Sequence, residues 1–144
     1  MKYVLTAAML RERGATCSQV DAFEAEWPEG ATPTKKNFLR AAALGLDLGW
    51  LAKKFLPSAA WAAYRKAAAS AWNACDKAQV AAWAAYKKAT ARAAHEKAGA
   101  AYERAEAAAW DAYDRRSEAA AKATQNLAMA LWRIVREVLA KGES

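Results

Sequence analysis

The sequence predicts an all-α protein in which a small N-terminal cluster of short helices packs on a long, alanine-rich antiparallel helical hairpin. Three observations carry that expectation. Of the 144 residues, 43 are alanine, the residue that costs least in a helix interior. Pro28, Pro33 and Pro57 all fall within the first 57 residues, so no proline interrupts the chain beyond them. No apolar/polar alternation marks a strand anywhere.

The first 57 residues read as short helices set off by punctuation. One is expected over 4–13, ending at Gly14, and a second over 18–26, capped by Thr16 or Ser18. "WPEG" makes a turn. A third helix follows over 34–44, ending at Gly45, and a fourth over 48–56, capped by Asp47 and stopped before Pro57.

Ser58, a good N-cap, opens the second region, 58–144, whose Ala, Lys, Arg and Glu residues all favour helix. It contains an imperfect repeat: "AAWAAYRKA", "SAWNACDKA", "AAWAAYKKA", "TARAAHEKA", "AAYERA" and "AAWDAYDRR". Trp61, Trp72 and Trp83 stand 11 residues apart, which on an α-helix returns the side chain to within about 20° of its starting direction. They form one stripe. Between Tyr86 and His95 the register slips by about half a turn. Gly99, the only glycine between Ser58 and Lys141, sits where a chain reversal would absorb that slip.

A turn near 99 leaves two equal arms. Antiparallel pairing sets Trp83 beside Arg115, Tyr113 and Trp110, Trp72 near Leu127 and Met129, and Tyr64 near Ile134, so that the rings are clasped between alanine-lined rods. "NLAMALWRIVREVLA" then offers the short helices an apolar face over 127–139. The alternative architecture is one uninterrupted helix forming a coiled-coil oligomer through its aromatic faces.

Charge and chemistry exclude several classes of function. The net charge of +7 is spread evenly along the chain, with no basic tail. No apolar run reaches membrane-spanning length, and the opening apolar stretch, 3–10, runs into Arg11, Glu12 and Arg13 where a leader needs small neutral residues. Two cysteines, Cys17 and Cys75, are too few for a disulfide framework and fit the cytoplasm. His95 is the only histidine, in "HEKAG", where a zinc-protease motif would need a second histidine at Gly99. "GLDLG" lacks the strand that precedes a nucleotide fingerprint. Carboxylates alternate with bases as on a solvated face. No catalytic residue, cofactor or metal is expected.

Segment 40–56 has helix-turn-helix spacing, with Lys53 and Lys54 placed to touch phosphates; this is the nucleic-acid alternative. Leu48, Gly49, Trp50 and Leu51 nevertheless offer no group for base edges, and a plain helical corner accounts for the segment. Exposed partner anchors are instead expected at Trp110, Tyr102, Arg104 and Tyr113, near the tip, while Trp61 and Trp72 are expected in the core.

"ATCSQVDAFEAEWPEGATPTKKNFLRAAALGLDLGWLAKKFLPSAAWAAY" followed by Trp/Ala/Tyr units with basic pairs resembles a group of phage- and prophage-encoded proteins. That group carries a Cys-Gln-Phe-Pro-Gly head, a Gly-Leu-Asp-x-x-Trp-x-Ala segment and tandem A-W-A-x-Y-x-[KR]-A units. The repeats here are few and degenerate, and the apolar 127–139 helix is not part of that pattern. The resemblance implies a viral accessory protein in a bacterial cytoplasm that binds a host protein or protein complex, interference with antiviral defence included, and it carries over no catalytic residue. Nucleic acid and further copies of the chain are the alternative partners.

Overall fold

The computed structural model describes residues 3–96 and 99–142. Six helices make up its regular structure: α1 (Ala7–Glu12), α2 (Cys17–Glu26), α3 (Lys35–Ala43), α4 (Leu48–Phe55), α5 (Ser58–Glu96) and α6 (Ala100–Gly142). The single-helix alternative is thereby excluded. Gly99 lies between the two long helices at φ +93°, a conformation that costs glycine nothing and an L side chain a good deal. Residues 97 and 98, the expected approach to the turn, lie outside the described residues.

Two compact units divide the chain: residues 3–68 with 125–142, and Ala69–Thr124. The first gathers the four short helices, the start of α5 and the end of α6. Its local structure follows from caps. The Thr6 hydroxyl accepts from the Met9 amide at 3.3 Å, Thr34 from Asn37 at 3.2 Å, and the Asp47 carboxylate from Trp50 at 2.9 Å. Thr16 is the N-cap of α2, but its hydroxyl lies 3.5 Å from that of Ser18 and caps no amide.

One departure from expectation concerns Val4 and Leu5. The first helix begins only at Ala7, because Leu5 exchanges backbone hydrogen bonds of 2.9 and 2.8 Å with Ala31 in an isolated antiparallel bridge. Gly30 makes that approach possible: a Cβ there would stand 2.6 Å from Val4 Cγ1 and 2.9 Å from the Leu5 carbonyl, on backbone at φ +93°. Gly30→Ala is accordingly expected to destabilise the protein by about 2 kcal/mol, read as a lower urea midpoint at unchanged slope.

Leu10, Val20, Phe23 and Ala31 form a buried cluster, with Leu5, Trp27, Leu46, Trp50, Leu51 and Phe55 among the half-buried residues packed on it. α6 contributes to this unit as its apolar spacing foretold. Leu131 is 1% exposed, and with Val135, Val138 and Leu139 it lines an apolar cavity of about 370 Å³ that it shares with residues of all four short helices. Tyr64 of α5 is buried beside Asp47 and Gly49, and burial first, the Asp47 charge second, raises its phenol above the ordinary tyrosine value.

The second unit is the helical hairpin proper. Every described side chain buried in it is small: Cys75, Ala82 and Ala89 from α5, and Ala105, Ala109, Ala112 and Ala123 from α6. On α5 these recur every seven residues, and on α6 by steps of four, three and eleven, which set Ala112 seven residues from Ala105 and Ala123 fourteen from Ala109, the spacing of a coiled-coil seam. Among the described residues no fully buried side chain of this unit is larger than cysteine, so the arms can pack at the short end of the interaxial range.

Candidate interface on the hairpin

The alanine seam overturns the expectation that the rings are clasped between the arms. Helices that meet through alanine leave no room for an indole, and the tryptophans flank the seam instead. Trp72, Trp83, Trp110 and Tyr113 are 46%, 43%, 62% and 50% exposed. Trp72, expected in the core, is therefore a surface residue, while Trp61 is half-buried.

What the rings touch is set mostly within their own helical turn. Residues i, i+3 and i+4 share a face, and the "AWAAYRK" unit places a tyrosine and a base at those offsets from each tryptophan. Trp61 stacks on Tyr64 (centroids 5.8 Å apart, planes 20°) and Trp83 on Tyr86 (5.3 Å, 15°). Arg65 lies 5.9 Å from the Trp61 ring and Lys87 lies 5.6 Å from that of Trp83, distances at which the ring quadrupole attracts a cation. Trp132 repeats the cation alone, with Arg136 at 4.5 Å and Val135 in the tyrosine's place. Across the seam, Arg116 reaches the Trp83 ring at 5.3 Å, within a residue of the expected pairing with Arg115.

Two tryptophans of the long helices depart from this pattern. Trp72 is followed at i+3 and i+4 by Cys75 and Asp76, and Trp110 by Tyr113 and Asp114. Among the described residues no cation lies over either ring. Tyr113 stands 6.1 Å from Trp110 at 80°, unlike the near-parallel stacks of the other units. These bare rings are also the two most exposed tryptophans.

Of the anchors expected from the sequence, Trp110 and Tyr113 are thus brought together in the open. Tyr102 is half-buried, and Arg104, though exposed, falls nine residues from Tyr113, about half a turn round α6 and so on its other side. The i+4 cation was the signal overlooked; it was legible in the spacing of the repeat.

The nucleic-acid alternative finds Lys53 and Lys54 exposed on α4. The apolar side of that helix is committed elsewhere, with Leu48 and Ala52 buried and Trp50, Leu51 and Phe55 packed on the head core. The Lys54 carbonyl accepts a 2.8 Å hydrogen bond from Arg13, whose guanidinium lies 5.0 Å from the Phe55 ring.

Reactive groups are dispersed. Cys75 is buried in the seam, Cys17 and His95 are exposed, and the 20 residue steps of unbroken α5 from Cys75 to His95 hold them about 30 Å apart, too far for a nucleophile–base pair. Among the described residues no three His, Cys, Asp or Glu side chains gather as metal ligands, and no helix is long and apolar enough to cross a membrane. Glu26 has its carboxyl held below the usual range by hydrogen bonds from Arg40 at 2.9 and 3.2 Å, and burial raises the Tyr3 phenol; both are local effects of the head. No family model matches the chain, and no curated protein or solved structure is significantly similar to it.

Proposed function

We propose that this is a non-catalytic interaction protein of phage origin that seats the bare rings of its hairpin, Trp110 and Tyr113 above all, on a bacterial protein complex. The resemblance to phage-encoded proteins supplies the biological setting, with a host antiviral defence complex as the target. The observation that carries the reading is the 62% exposure of Trp110 beside the half-exposed Tyr113, on a unit whose buried side chains, among the described residues, are alanine and cysteine. Large aromatic side chains on a stiff support lose little entropy on docking and dominate interface energetics. Alanine would have served the helix better at both positions, so folding of the hairpin does not account for them.

Protein is favoured over nucleic acid because carboxylates stand among the rings: Asp111 pairs with Arg115 at 3.1 Å, and Asp76 and Asp114 follow the bare tryptophans. A face that mixes carboxylates with bases offers a phosphate backbone less than a clustered basic patch would.

Tagged wild-type protein and Trp110→Ala, each passed through host lysate, test the reading. A truncated interface anchor costs 2 kcal/mol or more, so the variant is expected to retain its partner at least about 30-fold less tightly, with helix content unchanged. Equal recovery of the same proteins by both would remove the proposal. Retention that disappears on nuclease treatment would favour Lys53, Lys54 and a nucleic acid, and a solution mass well above 15.6 kDa without host protein would favour self-assembly.

A further inference from the structure

Five tryptophans sit on the two long helices, and they fall into two kinds. Trp61, Trp83 and Trp132 each receive a cation from the residue four positions on, Arg65, Lys87 and Arg136, at 5.9, 5.6 and 4.5 Å. Trp72 and Trp110 have an aspartate in that same slot, Asp76 and Asp114. The substitution reverses the sign of the charge at the one place from which the helix supplies its own cation. We infer that the bare tryptophans are seats for a cation brought by the partner, an arginine guanidinium in particular, with Trp110 and Asp114 as the principal seat. The inference rests on the interaction reading above and names the chemistry of what docks there.

The two groups are complementary halves of a guanidinium site. The indole face attracts the cation through its quadrupole, and the plane of a guanidinium can stack on it while its edge donates to a carboxylate. A residue at i+4 stands one helical turn along the same face, which places the Asp114 carboxylate beside the Trp110 ring. Asp114 is also unengaged: the neighbouring Asp111 carries the ion pair with Arg115, and Asp114 has no ion-pair partner among the described residues. Tyr113 at 80° does not lie parallel over the indole as Tyr64 and Tyr86 do in their units. Trp72 repeats the seat in weaker form, since Cys75 replaces the tyrosine and is turned into the seam. An acidic partner surface is excluded on the same grounds, although the protein as a whole carries a charge of +7 and would attract one at long range.

The test uses the full chain labelled with fluorotryptophan, its resonances assigned by single Trp→Phe variants, titrated with N-acetyl-arginine amide and, separately, with the uncharged citrulline analogue. The Trp110 resonance is expected to move saturably with the arginine probe and several-fold further than those of Trp61, Trp83 and Trp132, with Trp72 second; citrulline should move none of them. Asp114→Lys gives Trp110 its own cation and is expected to cut its response to the level of Trp83. Conversely, Arg65→Asp should create a response at Trp61. Both changes are at exposed helical positions, and if either variant loses helix content the wild-type comparison among the rings and against citrulline still decides. Equal movement of all rings, an equal effect of citrulline, or an undiminished Trp110 response in a folded Asp114→Lys protein would overturn the inference. A host complex retained by Asp114→Lys as tightly as by wild type would also overturn it while leaving the interaction reading intact; retention by Trp110→Ala would instead remove that reading itself.

Discussion

Leu131→Ala is expected to lower the free energy of unfolding by about 3 kcal/mol and the thermal midpoint by on the order of 10 °C. Leu131 is 1% exposed and is the largest fully buried side chain among the described residues. It anchors the end of α6 in the unit that holds the short helices, and it already borders a cavity of about 370 Å³. Removing its branched end enlarges a space that the surrounding side chains have not closed, so the cavity penalty adds to the lost transfer energy instead of being relieved by collapse. Leu139, half-buried on the same lining, serves as the comparison and should lose roughly half as much on truncation. Urea unfolding followed by circular dichroism measures both. A loss below about 1 kcal/mol for Leu131 would mean that the side chain is not packed as described.

Ala112→Leu is the second large effect and runs against what composition suggests. Leucine forms helix nearly as well as alanine and buries more apolar surface. At an exposed position such as Ala107 the change is expected to be neutral to within about 0.5 kcal/mol. Ala112, however, is 0% exposed in a seam whose other buried members are six residues no larger than cysteine. Three further carbons there must push the arms apart or be forced off-rotamer, and the expected loss is about 3 kcal/mol. If the Ala112 and Ala107 variants unfold at the same urea concentration, the seam is not where the structure puts it.

These two positions differ in how plainly the chain announces them. Leu131 belongs to "NLAMALWRIVREVLA", where leucine, isoleucine and valine recur at helical spacing against arginine and glutamate, and the buried stripe follows from that contrast. Ala112 is one alanine among the 43 of the chain, set between Asp111 and Tyr113. A seven-residue repeat of alanine carries little contrast in a segment where alanine fills nearly every second position, whereas the 11-residue repeat of tryptophan stands out. Contrast along the chain therefore points to the tryptophan repeat, and the alanine repeat is the one that occupies the seam. Shape decides between them, because small side chains let two helices approach and large ones do not.

The candidate site divides in the same way. That Trp110 and Tyr113 share a face, with Asp114 one turn on, follows from helical geometry alone, as does the i+4 base that covers Trp61 and Trp83. Their exposure does not: it results from the opposite arm meeting α6 through Ala105, Ala109 and Ala112 and leaving the flank uncovered. Arg104 shows the converse, since nearness in number to Tyr113 suggested a shared patch that half a turn of helix removes.

By itself the sequence determined the helical class, the cap at Asp47, the reversal at Gly99 and the union of the α6 apolar face with the short helices, because each depends on backbone conformation or on apolar contrast within a few turns. Tertiary structure alone decided the bridge from Leu5 to Ala31 and the choice of alanine over tryptophan for the seam. Both depend on how closely two distant segments can approach, and that distance is set by side-chain volume across the contact, which no periodicity along one strand of sequence contains.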